Sequence, residues 1–410
     1  MRKPRRALPL LIPLVLLICV ELAAPAGQSS FALKGATVYP ASGPRFENAV
    51  ILVENGTITA LGPDVKIPSG TKIIDVSGKV IIPGLIDIHS HLGFFDSDIN
   101  EFPQPIGPEN RALDALYLDS PDWGEAVKGG VITLVTGPGS GERIGGQSIT
   151  IKTFGADLKK RILKESGEVK MAINARNLSH VQAIRNSLLK AREYMETWAR
   201  YEAGDKKEPP PKRDLALEAL VKVLKREERI RCHVHFANDM LSFLKLKDEF
   251  GFELTFEHST EAYKIADEIA NRNVGCVCLP LVMRIPLNED LMRGNAVLEK
   301  AGVKIALHTD HPVTQEKWLR LCAILSMRYG LSEEAALKAI TINPAELAMI
   351  SGRVGSIEKG KDADLVVLNG PWQELRSRVD LVFIDGVLAY DRAKDESEPQ
   401  VGNGNEEGFK

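Results

Sequence analysis

Short apolar runs alternate with helix-type stretches through the middle of this chain. The runs with strand character fall at 82–89, 130–136, 169–174, 230–236, 253–258, 274–279 and 303–309. Segments with helical periodicity lie between several of them, among them 215–229 and 262–273. Strands that alternate with helices predict a mostly parallel sheet. One more strand is expected near 149–154 or after, with its place in the order left open.

The fold that this alternation favours is an α/β fold, a (β/α)8 TIM-like barrel over residues 83–350. The length of the region suits eight strand–helix units. A doubly wound dinucleotide-binding fold is the alternative. It has little support, because no G-x-G-x-x-G follows the first strand.

Both ends of the chain carry hairpin signals. Asn55-Gly56 separates two strand-type runs near the start, and Asp385-Gly386 does so near the end. Either dipeptide favours a tight turn between antiparallel strands. We expect residues 31–82 and 351–390 to meet in one small composite β-sandwich domain.

The outermost segments have compositions of their own. Residues 1–26 combine a basic start, an apolar stretch from Ala7 to Val20, and Ala24 and Ala26 at an A-x-A-like cleavage site. This pattern predicts a signal peptide and an exported protein, periplasmic or secreted, with an uncleaved membrane anchor as the alternative. At the other end, the polar residues 391–410 predict a disordered tail.

Composition and charge narrow the choice of partners. The chain has 44% hydrophobic and 26% charged residues and a formal net charge of −3. No basic patch with interleaved aromatic residues occurs in the sequence, so nucleic acid is not an expected partner. A small-molecule substrate is expected, and a homo-oligomer is compatible with the sequence.

Seven of the eight histidines lie at or just beyond the ends of strand-type runs, together with one aspartate. They are His89, His91, His233, His235, His258, His308 and His311, and the aspartate is Asp310. Residues i and i+2 of a strand share one face, and the strand ends of a barrel meet at its active-site rim. A single strand histidine is more often a hydrogen-bonded core residue. So many at one rim predict a metal site.

Several stretches of the chain resemble one enzyme superfamily. They are PGLIDIHSH, CHVH, EHSTEAYKIADEIA, ALHTDHP and ALKAITINPAELAMISGRVGSIEKGKDADLVVL. These stretches are similar to the metal-dependent amidohydrolase superfamily, in particular its imidazolonepropionase-like and Xaa-Pro dipeptidase (prolidase)-like branch, over residues 31–390. The resemblance implies a (β/α)8 barrel flanked by a small β-sandwich from both chain ends.

The resemblance also implies roles for individual residues. His89 and His91 would bind a buried metal ion, and His233 and His258 would complete a second metal position or orient the substrate. Asp310 would contact the metal and act as general base toward the attacking water. If only one metal binds, His258 would polarise the scissile carbonyl instead.

Other residues are candidates for weaker roles. His235 is a second-choice ligand and a candidate for substrate contact, and His308 and His311 are also candidates for substrate contact. The glycine-rich segment TGPGSGERIGGQSITIK resembles a loop of some relatives, in which Arg143 and Gln147 could contact substrate. A structural turn is the alternative for this segment.

The group that would bridge two metals is open. Two-metal relatives use a carboxylated lysine or a glutamate, and Lys170 in EVKMAINARN is the candidate here, although an ordinary salt-bridged lysine fits as well. Relatives often carry Gly-Glu-Asn where Asn174-Ala175-Arg176 stands. We therefore expect one or two divalent metals per chain, with zinc as the first choice and iron, nickel or manganese as alternatives.

The favoured function is hydrolysis of a C–N bond in an amide, a cyclic amide or a dipeptide by a metal-activated water. Hydrolysis of a lactone, an ester or a phosphoester on the same rim is the enzymatic alternative. A catalytically silent metal-binding scaffold is the third hypothesis. It is disfavoured because the five main residues implied by the resemblance are all present.

Overall fold

The computed structural model describes residues 30–94, 100, 106–173, 178–204, 206–207, 209–278 and 289–396. The signal peptide predicted at 1–26 and most of the predicted tail lie outside the described residues. The strands are β1 (Phe31–Val38), β2 (Phe46–Glu54), β3 (Thr57–Gly62), β4 (Lys72–Asp75), β5 (Val80–Pro83), β6 (Leu85–Ser90), β7 (Val131–Thr136), β8 (Ile144–Gln147), β9 (Ile149–Lys152), β10 (Ile162–Lys164), β11 (Val169–Ala172), β12 (Ile230–Val234), β13 (Leu254–His258), β14 (Gly275–Cys278), β15 (Ile305–Leu307), β16 (Leu365–Leu368), β17 (Val379–Ile384) and β18 (Val387–Asp391).

The α-helices are α1 (Asp122–Lys128), α2 (Leu158–Arg161), α3 (Leu178–Ala203), α4 (Leu215–Leu224), α5 (Ala237–Phe250), α6 (Ala266–Asn271), α7 (Glu289–Lys300), α8 (Leu319–Arg328), α9 (Glu333–Ala339), α10 (Ile342–Leu347) and α11 (Arg392–Asp395). Short 3-10 helices cover Ala112–Ala115, Ala262–Ile265 and Glu316–Trp318. Among the residues described, no helix is both long and apolar enough to span a membrane.

Strands from the two ends of the chain share one sheet. Its order is β18-β17-β16-β5-β1-β2-β3, with β4 paired to β1. β5 joins the two ends, because it pairs parallel with β1 and antiparallel with β16. Side-chain alternation along β1 sends Phe31 and Leu33 into one apolar cluster and Ala32 into another. The boundaries of the composite domain stay a prediction.

The seven strand-type runs of the middle region are confirmed as strands. They contain β6, β7, β11, β12, β13, β14 and β15. β11 to β15 pair parallel in sequence order, and β6 pairs parallel with β7. Helices between several of these strands account for the parallel pairing, because a parallel pair needs a crossover connection.

The chain between β7 and β11 departs from the predicted alternation. The strand expected near 149–154 is β9, which pairs antiparallel with β7, while β8 pairs antiparallel with β11. The chain thus changes sheets at Ser148. The result is two mixed sheets, of order β10-β9-β7-β6 and β15-β14-β13-β12-β11-β8. The paired strands of the described residues do not form a closed ring, so the α/β class is confirmed and a closed barrel is not.

The chain is regular for a few residues beyond 390, where a disordered tail was predicted to begin. Asp391 caps α11 by accepting the amide of Ala393. Arg392 forms an ion pair with Asp380 of β17 at 2.5 Å. The composition of residues 391–410 could not predict this ion pair, because Asp380 lies outside that segment.

Lys152 of β9 connects the middle region to the terminal sheet. Its ammonium group, 0% exposed, lies 2.8 Å from Asp362, 2.9 Å from Asp364 and 2.6 Å from Asp385. Burial alone would lower the pKa of Lys152, but the three carboxylates raise it, so the ammonium ion is retained. We call these four residues the junction cluster.

Candidate metal centre

Two histidines and one aspartate converge where β6 and β15 end. His89 lies in β6, His91 one residue beyond it, and Asp310 three residues beyond β15. His89 Nε2 lies 2.9 Å from Asp310 Oδ1, and His91 Nε2 lies 3.5 Å from the same oxygen. One donor atom from each of the three residues falls within 4.8 Å of the others. We call these three residues the donor triad.

Asp87 holds together the two backbone segments that carry the donor triad. Its fully buried carboxylate accepts the amide of His89 at 3.0 Å and the amide of Thr309 at 2.8 Å. Two backbone hydrogen bonds of 3.2 and 3.1 Å join the same segments. Buried amides at a strand end need such acceptors, and the aspartate of IDIHSH supplies one to each segment.

A backbone carbonyl orients His91. The Nδ1 atom of His91 lies 2.8 Å from the oxygen of Gly137, so Nδ1 donates its proton there and Nε2 keeps its lone pair toward Asp310. Residue 137 has to be glycine, because a Cβ there would lie 2.9 Å from the Cα of Ser148. The first glycine of the glycine-rich segment therefore serves the metal centre.

The other predicted ligands surround the donor triad. The ring centroid of His258 lies 5.0 Å from that of His89 and 4.3 Å from that of His233. His258 Nδ1 lies 3.9 Å from Asp310 Oδ2. The ring of His308 lies 4.7 Å from His89 and 5.2 Å from His258. Residues from four strand ends are thus brought together at one place.

The backbone adopts left-handed conformations at three positions of this site. The φ angles are 62° at His258, 51° at Ser259 and 54° at Asp310. Residues with a Cβ rarely adopt this region, and such strain concentrates at functional sites. The bend at His258 lets the consecutive residues Glu257 and His258 both reach the centre, which regular strand alternation would not permit.

Burial keeps the imidazoles neutral. It lowers the pKa of His91, His233 and His258, and it lowers the pKa of His308 to about 3. Burial alone would raise the pKa of Asp310, but its contacts with His89 and His91 hold it below its ordinary value. The centre therefore offers neutral nitrogen lone pairs and one ionised carboxylate.

A group of buried charges lies against the histidines. Glu257 receives Lys170 Nζ at 2.5 Å on one oxygen, and Arg231 Nε at 2.5 Å and His89 Nδ1 at 2.7 Å on the other. None of these side chains is more than 2% exposed. Burial would raise the pKa of Glu257, but Arg231 and its other partners hold it well below the ordinary value. We call Lys170, Arg231 and Glu257 the ionic floor.

Two members of the ionic floor were not found from the sequence. Strand parity could have found Arg231, since it lies two residues before His233 on the same face of β12. Glu257 pairs in register with His233, so it lies on the same inward face of the sheet, but a neighbouring-strand register is not visible in the sequence. Lys170 was predicted, and it lies against the histidines as the partner of Glu257.

Two of the predicted substrate contacts lie at the edge of the centre. His235 Nδ1 lies 2.8 Å from Thr260 Oγ1, and its ring stacks on that of His258 at 4.9 Å. His311 Nε2 lies 3.5 Å from Asp122 Oδ2. Both histidines stay candidates for substrate binding.

Two further predicted substrate contacts, Gln147 and Arg143, engage different parts of the protein. Gln147 donates to the carbonyl of Pro108 at 2.9 Å and accepts from the hydroxyl of Ser166. Arg143 lies near His180 and, after burial, is the second cause of that histidine's lowered pKa. Substrate contact by Arg143 or Gln147 stays a prediction.

The donor set fits a divalent transition metal. Imidazole nitrogens with one carboxylate are ligands that zinc, iron, nickel and manganese accept. Both ring nitrogens of His308 are buried and have no hydrogen-bond partner within the described residues. Buried polar atoms in native proteins are nearly always satisfied, and neutral His308 has one N–H and one lone pair here, so it offers a further nitrogen donor to a metal in the cluster.

Comparison with known proteins agrees with this chemistry. A model of the amidohydrolase family matches residues 80–389. The chain belongs to this family. Amidohydrolase tasK of Hapsidospora irregularis is 26% identical over 393 residues, which are 83% of this chain but only 40% of that relative. The imidazolonepropionase of Thermoplasma volcanium is 25% identical over 395 residues, 85% of this chain and 92% of the relative.

Solved structures extend the comparison to the fold. An amidohydrolase from Thermotoga maritima is 35% identical, with a TM-score of 0.81 over 88% of this chain and the whole of that one. A Xaa-Pro dipeptidase is 17% identical, with a TM-score of 0.55 over 88% of this chain and all of that chain, which shows likeness of fold alone. The predicted superfamily is confirmed, and this amidohydrolase is a hydrolase acting on C–N bonds.

Proposed function

We propose that this amidohydrolase cleaves an amide, cyclic amide or dipeptide bond with water activated by one or two divalent metal ions at the donor triad. The observation that carries the proposal is the convergence of three donor atoms within 4.8 Å, two of them on buried histidines. The low pKa of the neighbouring imidazoles supports it, because metals bind neutral imidazole.

His89, His91 and Asp310 would hold the divalent metal, which would lower the pKa of water toward ~7 and polarise a carbonyl. Asp310 is ionised near neutral pH, since its pKa is held below the ordinary value. Its Oδ1 faces His89 and its Oδ2 faces His258. We assign Oδ2 as the general base that takes the proton from the attacking water, and the same carboxyl then passes that proton to the leaving nitrogen.

The number of metals depends on Lys170 in this proposal. His233 and His258, with pKa values lowered by burial, have lone pairs for a second position. Lys170 would have to be carboxylated to bridge two ions, whereas here it pairs with Glu257 as an ammonium. With one ion, His258 would orient the substrate carbonyl. Nitrogen-rich donors make zinc the first choice, with iron, nickel or manganese as alternatives.

Three wider features belong to the same proposal. A closed (β/α)8 barrel is supported by the backbone hydrogen bonds that join the ends of β6 and β15. Cyclic amides and dipeptides as substrates are supported by the relative named imidazolonepropionase and the fold neighbour named Xaa-Pro dipeptidase. Export through residues 1–26 and a homo-oligomeric state are proposed from the sequence alone.

Metal content and turnover test the proposal together. The purified protein is analysed by plasma mass spectrometry as isolated, after chelation, and after zinc or manganese is restored. We expect one to two equivalents of metal, and turnover of an amide, imidazolone or dipeptide that is lost on chelation and regained with metal. A folded protein that takes up no metal would overturn the proposal. Metal-dependent turnover confined to lactones, esters or phosphoesters would overturn the C–N specificity.

A further inference from the structure

The ring of His89 has protein partners on both nitrogens. Nε2 faces Asp310 Oδ1 at 2.9 Å, and Nδ1 lies 2.7 Å from Glu257 Oε1. A histidine binds a metal only through a nitrogen that carries no proton, so a metal at Nε2 requires the proton on Nδ1. That proton needs an acceptor, and the carboxylate of Glu257 lies where the acceptor has to be.

We propose that Glu257 is a positioning residue that fixes the ring and the protonated nitrogen of His89 for metal binding, and that Arg231 holds Glu257 in place. The inference rests on the proposed function in one respect, the presence of a metal at the donor triad. It assigns Glu257 no contact with substrate or with the reacting atoms.

Arg231 has the geometry that this role requires. Its Nε donates to Glu257 Oε1 at 2.5 Å and its Nη1 donates to Ser148 Oγ at 3.0 Å. Its Nη2 lies 2.6 Å from His89 Nδ1. Since guanidinium is only a donor, Nη2 satisfies Nδ1 when the proton sits on Nε2, and Glu257 satisfies Nδ1 when the proton sits there. The pair therefore accommodates His89 with and without a metal.

The two triad histidines are supported by acceptors of different strength. His91 donates its Nδ1 proton to the carbonyl of Gly137, a neutral acceptor. His89 faces an ionised carboxylate in a site that excludes water, since Glu257 is 1% exposed. A charged acceptor makes the stronger hydrogen bond and raises the basicity of the ligand more. His89 is therefore the triad member most dependent on its support.

The test compares two buried carboxylates. Glu257 accepts from three donors on two oxygens, and an amide in its place has one acceptor oxygen and turns its NH2 toward a donor. Glu168 is 3% exposed, and its side-chain oxygens have no hydrogen-bond partner in the described part of the chain. Glu257→Gln and Glu168→Gln thus make the same chemical change with and without a histidine partner.

Zinc affinity of the full chain is measured by competition with a chromophoric chelator, and unfolding curves of the chelated variants establish that they fold. We expect Glu257→Gln to bind zinc roughly 10- to 100-fold more weakly than wild type. Glu168→Gln should keep the wild-type affinity. A folded Glu257→Gln variant with wild-type affinity would overturn the inference. If the wild-type chain itself took up none of zinc, iron, nickel or manganese, the proposed function would fall and this inference with it.

A second measurement covers the case in which Glu257→Gln does not fold. Neutron diffraction from crystals of the zinc-loaded wild-type chain locates the exchangeable hydrogens of the imidazoles. We expect a deuterium on His89 Nδ1 directed at Glu257, with zinc on Nε2. Zinc on Nδ1, or a bare Nδ1 facing Arg231 in the loaded protein, would refute the assigned role.

Discussion

The junction cluster and the donor triad both contain buried or half-buried carboxylates. The junction cluster has a cationic side chain of its own, whereas the donor triad does not. Lys152 brings an ammonium ion into contact with three carboxylates at the junction cluster. At the donor triad, the nearby cations Lys170 and Arg231 pair with Glu257 instead. Because the ammonium group belongs to Lys152 of β9, the junction cluster links the middle region permanently to the terminal sheet. At the donor triad, the convergent donor atoms provide ligands for the metal ion that we propose.

This difference separates stability from activity. Changes at the junction cluster should lower the free energy of unfolding and leave metal binding alone. Changes at the donor triad should act on metal binding and turnover, with smaller effects on the metal-free fold.

The largest effect is expected for Asp310→Asn. The amide keeps an oxygen for the metal but cannot take a proton from water, so we expect kcat to fall by roughly 10²- to 10⁴-fold. Metal should stay largely bound. Turnover and metal content are measured on the same sample. Asp362→Asn removes a junction carboxylate as the control and should keep wild-type kcat. Unchanged kcat in Asp310→Asn would refute its role as base.

The next largest effect is expected for Lys152→Met at the junction cluster. The change leaves three carboxylates together without their cation, and removing one partner of a buried ion pair costs about 3–5 kcal/mol of unfolding free energy. Urea unfolding of the metal-free protein measures this loss. Zinc affinity of the folded variant should match wild type. The double variant Lys152→Met with Asp364→Asn should recover part of the loss. Equal stability of variant and wild type would contradict the role given to this cluster.

Much of the fold could be predicted because its strands are continuous apolar runs. β6, β7 and β11 to β15 were found in this way. The crossing from β9 to β8 at Ser148 was not, since strand residues look alike whether their partner is parallel or antiparallel. The antiparallel pairs of β8 and β9 depend on contacts distant in sequence, and local patterns do not encode these.

The candidate site likewise has residues that the sequence predicts and residues that it does not. Histidines at strand ends stand out because a soluble core rarely concentrates them, and the structure brings His89, His91, His233, His258 and Asp310 together. Asp87 and Glu257 were not predicted, because a buried carboxylate shows its purpose only through its partners. Those partners, two amides in one case and three donors in the other, come from other strands.

Acid should destabilise the metal-free protein through the same histidines. Native His308 has a pKa of about 3 against 6.5 in the unfolded chain. Between these two pH values the unfolded chain binds a proton at His308 that the native protein does not bind. The stability present above pH 6.5 is therefore lost as the pH falls toward 3. His308 alone accounts for a loss on the order of 3 kcal/mol between pH 7 and 4. Denaturant unfolding between pH 7 and 4 measures it.

Two matched histidine variants show how much of this pH dependence comes from His308. His308→Asn should flatten the fall of stability with acid, because the titrating ring is gone. His180→Asn on α3 changes a histidine far less buried and should keep most of the wild-type slope. If stability fell with acid equally steeply in wild type and His308→Asn, His308 would titrate alike in the native and the unfolded chain.

The smallest effect is expected at Glu316, a buried carboxyl near Asp87 that accepts from Ser90. Burial, and then the charge of Asp87, raise the pKa of Glu316 well above 4.5. Native Glu316 therefore keeps its proton to a higher pH than a free carboxyl group does, so a proton neutralises this buried group where an ammonium ion does so at the junction cluster. Above pH 4.5 the unfolded chain loses a proton that the native chain keeps, so this group lowers stability as pH rises.

Glu316→Gln tests this assignment, because the amide is neutral at every pH. We expect it to match wild type near pH 4.5 and to exceed wild-type stability by about 1 kcal/mol at pH 7, a usual size for one substitution. Glu316→Ala should instead lose about 1–3 kcal/mol at both pH values, since it leaves buried polar partners unsatisfied. Urea unfolding of the metal-free proteins gives all three values. Lower stability of Glu316→Gln than wild type at pH 7 would mean that the carboxylate is ionised there. Burial near Asp87 would then not be enough to hold a proton on it.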